Sequence, residues 1–294
     1  MSPAYPPLLR SSYSVRTRAA ALLCLAAGLA AGCAAPPPRK VITPPPTPRI
    51  VSTPAPVPVA TPPPELPARP VVQRFEIGRS VRGTPLVLEV FGNGPERIFI
   101  FGGIHGNEPT SAALARRLSA HLRENPDAGA GCTIGILAEA NPDGLAAGTR
   151  DNASGVDLNR NFPARNWRAG RGARGPHGAT PGSEPETQAI LRAFDYLRPS
   201  RSMAIHSIGR GRHCNNYDGP AAPLAQRLAR HNGYPARATM GYDTPGSFGS
   251  WAGVDRNVPT ITLELPRDAT AADCWRDNRA ALLEFIRTTT TAAE

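Results

Sequence analysis

The run Ile98-Phe99-Ile100-Phe101-Gly102-Gly103-Ile104-His105-Gly106-Asn107-Glu108-Pro109 constrains the fold more than any other stretch of the chain. Its apolar start, Ile98 to Phe101, reads as a buried strand, and two glycines then break it. His105 and Glu108 follow, three residues apart, just before Thr110 to Asn125, whose apolar spacing is helical. At the start of a helix that spacing puts both side chains on one face, within reach of one ion. A strand running into a helix is α/β architecture, in which sites collect at strand ends. A third donor is then expected at another strand end, and Ala204-Ile205-His206-Ser207 offers one. Two histidines and a glutamate, with water in the fourth position, make a catalytic zinc arrangement. The structural alternative has His105 capping the helix and Glu108 favouring its positive end.

The sequence divides into three regions. Residues 1–32 hold no acid, and Arg10, Arg16 and Arg18 precede an apolar run, Ala19 to Ala31, too short for a permanent span. This predicts a secretory signal. It ends Leu29-Ala30-Ala31-Gly32-Cys33, which resembles a bacterial lipoprotein signal cut before a lipidated Cys33, with Ala30 where such signals usually have leucine. Ala34 stands where an inner-membrane retention signal would have aspartate, so the expected address is the outer membrane, facing the periplasm. Residues 33–70 are rich in proline and predict an extended tether, about 3.1 Å per residue or roughly 110 Å at full stretch. Residues 71–294 are long enough for one large core.

The formal charge of +10 suggests nucleic acid until it is located. Three of the charges lie in 1–32 and a net three more in 33–70, which leaves about +4 on the folded domain. No nucleic-acid motif accompanies them, and a negatively charged cell wall is the more natural partner. The domain is expected to act as a monomer. Its three cysteines, Cys132, Cys214 and Cys274, lack the spacing of a structural metal site and permit one disulfide.

Within the domain, Val71 to Ile77 and Leu86 to Phe91 alternate across Arg82-Gly83-Thr84-Pro85 and predict a hairpin. Strands are expected at Arg97 to Phe101, Thr133 to Ala138, Ser202 to Ile205 and Thr260 to Leu265. Helices are expected at Ala112 to Leu122, Glu186 to Leu197, Ala222 to Ala229 and Ala271 to Thr288. Strands alternating with helices predict a three-layer α/β/α domain with a mixed sheet. Residues 145–183 have little regular pattern, as does Tyr242 to Trp251, and long irregular segments in compact domains are usually functional. Asn159 and Arg160 offer an amide and a forked donor suited to a carboxylate. Glu264, inside an apolar strand, needs a reason to be buried. Either it is a general base beside a metal site, or it pairs with an arginine such as Arg267.

Together His105-x-x-Glu108, Asn141-Pro142-Asp143-Gly144, Asp157-Leu158-Asn159-Arg160-Asn161-Phe162, His206-Ser207 and Glu264 resemble the zinc carboxypeptidase family over nearly all of 75–288. The resemblance implies one zinc on His105, Glu108 and His206, with Glu264 as catalytic base. It implies that Arg150 stabilises the oxyanion, that Asn159 and Arg160 hold the substrate's terminal carboxylate, and that Tyr242 is a mobile tyrosine over the substrate. It also implies that Asp157 orients a ligand histidine. Asn107, where digestive members have arginine, makes His-Gly-Asn-Glu similar to the murein peptide amidase branch and to the succinylglutamate desuccinylase and aspartoacylase branch. The loop Gly241 to Gly249 and the envelope address resemble the former more closely. The implied reaction is hydrolysis of the γ-D-glutamyl–diaminopimelate amide in murein peptides. An N-acyl amino acid deacylase and a catalytically inactive wall-binding lipoprotein stand as alternatives.

Overall fold

The computed structural model describes residues 72–172 and 175–288; the expected signal, Cys33 and the whole proline-rich tether lie outside the described residues. Strands β1 (Gln73–Arg79) and β2 (Pro85–Phe91) form the predicted antiparallel hairpin. Its turn places Gly83 at φ +85°, a left-handed conformation that suits glycine. There follow β3 (Glu96–Phe101), α1 (Pro109–Glu124), β4 (Cys132–Leu137), α2 (Pro142–Ala147) and a minimal hairpin of β5 (Arg171–Gly172) and β6 (Gly175–Pro176). The second half contains α3 (Pro185–Leu197), β7 (Arg201–Ile208), β8 (Cys214–Asp218), α4 (Ala222–Asn232), β9 (Ala236–Arg237), β10 (Thr260–Pro266) and α5 (Ala271–Arg287).

Eight strands form one sheet in the order β1-β2-β4-β3-β7-β10-β8-β9. The central neighbours β4, β3, β7 and β10 run parallel, while β2 joins β4, and β8 joins β10, antiparallel. The sheet is therefore mixed, as the alternation of elements predicts. Because successive side chains point to opposite faces, β3 feeds two cores. Ile98 and Ile100 pack with α1, α4 and α5 on one face. Phe99 and Phe101 pack on the other with α3 and with Phe162, Phe248 and Trp251 from irregular segments. Each such buried side chain contributes about 1.5–3 kcal/mol. Helices on both faces make the three-layer α/β/α architecture.

Several elements depart from expectation. Strand β8, Cys-Asn-Asn-Tyr-Asp, has no apolar alternation, yet its first three residues are buried. Its amides are satisfied sideways: Asn215 Nδ2 donates to Tyr234 O at 2.8 Å and Asn216 Nδ2 to Arg237 O at 2.8 Å. The Gly/Ser-rich stretch expected as loop turns helical over Gly249–Asp255, where Ser250 N donates to Ser247 Oγ at 3.1 Å and Phe248 and Trp251 anchor the turn in the aromatic core. Cys132, Cys214 and Cys274 are buried free thiols, so the one disulfide that the sequence permits is not formed among them.

Candidate active site

The first ligand loop is held by close backbone approach. A side chain at Gly106 would overlap the backbone of Gly144, so α2 sits directly against the His105 turn. Asn141 fixes that contact, with N–H to Gly103 O at 2.9 Å, Nδ2 to Ile104 O at 3.2 Å, and Oδ1 accepting from Gly144 N at 2.9 Å. The Asn-Pro-Asp-Gly motif thus buttresses the metal loop rather than touching substrate.

His105, Glu108 and His206 meet at the carboxyl ends of β3 and β7, all buried. His105 Nδ1 lies 3.2 Å from Glu108 Oε1 and 3.2 Å from His206 Nδ1, and His206 Nδ1 lies 3.2 Å from Glu108 Oε2. A tetrahedral zinc with bonds of about 2.0–2.1 Å needs ligand atoms about 3.3 Å apart, so the trio fits. Its chemistry fits as well. Asp157 Oδ1 stands 3.0 Å from His105 Nε2 and accepts a hydrogen bond from its N–H, the tautomer that leaves an electron pair on Nδ1. Electron pairs that converge in a buried site are tolerated only around a cation.

Electrostatics follow from this packing. Burial alone would raise the Glu108 carboxyl, but His105 and His206 hold it well below the usual carboxylate range. Burial likewise works against ionised Asp157, yet His105, Arg150 and Arg160 outweigh it and hold that carboxyl low. For His105, burial disfavours the cation, and Glu108 and Asp157 reverse the balance and raise it. Ser207 N steadies Glu108 by donating to Oε2 at 2.9 Å.

Glu264 lies beside the trio, buried in β10, and its carboxyl is raised above the usual range by burial. The alternative pairing with Arg267 is not formed: Arg267 instead reaches Glu108 Oε1 at 3.3 Å and Ser207 O at 3.1 Å. Arg150 is clamped by Asp157, with Nε 3.0 Å from Oδ2, which leaves its Nη1 toward Glu108 Oε1 at 3.4 Å. Asn159 Oδ1 accepts from Phe248 N at 2.9 Å, and its Nδ2 lies 3.5 Å from His206 Nε2. Arg160 is buried and donates to Asn159 O at 2.7 Å. Tyr242 is half-buried, its ring centroid 5.9 Å from the Arg212 guanidinium carbon.

All eight catalytic, substrate-binding and metal residues expected in the domain line one cleft. The irregular segment that supplies three of them is ordered by side-chain hubs in place of ladders. Asn152 Oδ1 accepts from Ser154 N and Val156 N, and Asn161 Nδ2 reaches His177 O at 2.9 Å and Thr180 O at 3.0 Å. Two residues of the cleft escaped the sequence reading, Arg267 as a partner of Glu108, and Asp218. Asp218 closes a strand without apolar pattern, so no sequence signal marked it.

Residues 68–218 match the zinc carboxypeptidase family. The chain is 35% identical over 210 residues to murein peptide amidase A of Escherichia coli (strain K12), covering 64% of this chain and 79% of that protein. The crystal structure of murein-tripeptide amidase MpaA from Escherichia coli O157 superposes with a TM-score of 0.61 at 31% identity, over 76% of this chain and 96% of that one. Bovine thrombin-activatable fibrinolysis inhibitor shares the fold, with a TM-score of 0.61 at 20% identity over 73% of this chain and 88% of that one.

Proposed function

The chain belongs to the zinc carboxypeptidase family, and on that premise we propose that it is a murein peptide amidase hydrolysing the amide between γ-D-glutamate and diaminopimelate. The observation that carries this reading is the convergence of three zinc donors at 3.2 Å with Glu264 beside them in a cleft that also holds Arg150 and Arg160. His105 Nδ1, His206 Nδ1 and Glu108 would hold the metal. Zinc supplies polarisation of the scissile carbonyl and acidification of water at that point.

The chain's own residues divide the remaining work. A Glu264 oxygen takes the proton of the attacking water and passes it to the leaving nitrogen. Arg150, braced on Asp157, presents Nη1 toward the developing oxyanion, where fixed donors act most strongly. Arg160 and Asn159 hold the free carboxylate of the residue being released. Tyr242, at the rim of the cleft, covers it.

Incubating the zinc-loaded domain with L-Ala-γ-D-Glu-diaminopimelate and following free diaminopimelate by mass spectrometry tests the reading. Release from α-linked peptides alone would make the protein a general carboxypeptidase instead. The reading extends to the address. The apolar run ending at Cys33 and the proline-rich 34–70 support a lipid-anchored envelope enzyme whose tether lets the domain reach the wall. Cys33→Ser should abolish fractionation with outer membrane; a mature form that still fractionates there refutes the anchor.

A further inference from the structure

Arginines 150, 160 and 267 line the cleft, and Arg267 is the one without a role in the chemistry so far. It follows β10 directly, and its backbone N–H donates to Ile208 O at 2.9 Å, which ties it to the end of β7. Nη2 carries both contacts of the side chain, to Glu108 Oε1 at 3.3 Å and to Ser207 O at 3.1 Å. Among the described residues Nε and Nη1 take no partner, and the side chain is 48% exposed. A guanidinium has more donors than these contacts use. This one is held at one end and open at the other.

Its position within the cleft says which ligand. Arg267 and Arg150 converge on the same oxygen, Glu108 Oε1, at 3.3 Å and 3.4 Å. Asn159 and Arg160 approach the metal donors elsewhere: Asn159 Nδ2 lies 3.5 Å from His206 Nε2, and Arg160 donates to Asn159 O. In the amidase reading Arg160 takes the half of the substrate that leaves. Arg267, next to the oxyanion donor Arg150, then faces the half that carries the scissile carbonyl. That half has an anion of its own. A γ-linked glutamate is joined through its side-chain carboxyl, which leaves its main-chain carboxylate free, a few bonds from the scissile carbonyl. An α-linked alanine presents only an amide there. A carboxylate entering a partly closed cleft needs a charged donor to offset its desolvation.

We propose that Arg267 receives this free carboxylate and so selects a γ-linked acidic residue on the acyl side of the bond cleaved. The inference rests on the amidase reading of the cleft and deepens it: Arg160 reads the residue released and Arg267 the residue retained. The open donors of Arg267 are the feature that carries it, since the contacts to Glu108 and Ser207 occupy Nη2 alone.

The test compares L-Ala-γ-D-Glu-diaminopimelate with the same peptide amidated at the free main-chain carboxyl of its glutamate, on the zinc-loaded protein and on Arg267→Gln. The free acid should exceed the amide in kcat/KM by about tenfold or more, the scale of a hydrogen bond to a charged group. In Arg267→Gln that ratio should collapse toward one. Arg267→Met serves if that variant fails to fold. An arginine that only steadied Glu108 would, when replaced, lower both substrates alike and leave the ratio standing. That outcome, or a ratio near one in the unaltered protein, overturns the proposal. Calorimetric titration of the zinc-loaded protein with the acyl-side products, L-Ala-D-Glu and L-Ala-D-isoglutamine, reads the same contact without turnover. The acid should bind tighter by a similar factor and lose that advantage in Arg267→Gln; equal binding to the unaltered protein overturns the proposal. If no γ-linked substrate is cleaved, the amidase reading fails, and the titration still decides the role of Arg267.

Discussion

Asp157 stands behind His105, its Oδ1 3.0 Å from Nε2, on the side of the ring opposite the atom shared with Glu108 and His206. The same carboxylate holds Arg150 through Oδ2 and accepts from Asn159 N at 3.0 Å. One buried acid therefore sets the tautomer of a metal ligand, the reach of the oxyanion donor and the start of the carboxylate-binding turn.

Asp157→Asn should weaken zinc binding by about 10–100-fold, the usual effect of losing a partner behind a ligand histidine. The amide is nearly isosteric, so the fold should persist. Competition against a chromophoric chelator measures the affinity, and an unchanged value would show that His105 is oriented by packing alone.

The His105–Asp157 pair also predicts how the metal-free domain responds to pH. Asp157 is depressed in the folded state, so its contribution is present above the unfolded value of about 3.9 and fades as pH falls below it. His105 is raised, so its contribution is full below about 6.5 and is lost as pH climbs through the folded value. The stability gap between the stripped domain and its Asp157→Asn variant should be widest between about pH 4 and 6.5 and narrow on both sides. Urea unfolding across pH 3 to 9 reads it; a gap constant over that range excludes the ionised pair as its source.

Glu264→Gln should separate metal binding from chemistry. The amide cannot accept a proton, and positioned bases are worth about 10²–10⁴-fold in rate. Turnover should fall by that order while zinc content stays at one per domain. Near-normal turnover would move the base elsewhere in the cleft.

Arg160→Ala and a substrate whose terminal carboxylate is capped as an amide should have similar effects. Losing one partner of a buried charged pair costs about 2–5 kcal/mol, so each should lower kcat/KM by roughly 30-fold or more. Combining the two should add little, because both remove one contact. Full additivity in the double experiment assigns the carboxylate to another residue. Arg160→Lys should restore part of the loss, a point charge lacking the fork.

The chain announces its chemistry more clearly than its boundaries. His105, Glu108, His206 and Glu264 are legible because a metal site needs particular residue types at strand ends, and the sequence has few such residues there. Asp157, in an irregular segment away from any strand end, is legible only through the family resemblance of Asp157-Leu158-Asn159-Arg160. What hid was structure stabilised by side chains in place of periodicity. Asn215 and Asn216 carry a strand whose pattern is polar, and Asn152 and Asn161 order a long segment with no ladder. The helical turn after Phe248 hid behind glycine and serine, whose helix-breaking tendency loses to the burial of Phe248 and Trp251. Asp218 carries no sequence signal because the glycines packed against it, Gly249 and Gly253, come from a segment distant along the chain.

His206 and Glu264 are partners in register on adjacent parallel strands, and Leu263 sits opposite Ile205 in the core. A slip of one strand by one residue would turn its functional side chain to the opposite face from the other, so their relative placement is protected by every apolar contact in the two strands. Asn159, Arg160, Tyr242 and Asp218 belong to segments that the sheet does not clamp at its centre. Bond cleavage is thereby the conservative half of the molecule and recognition the adaptable half. A descendant of this protein, natural or designed, can acquire a different diet by rewriting its rim while inheriting the reaction unchanged.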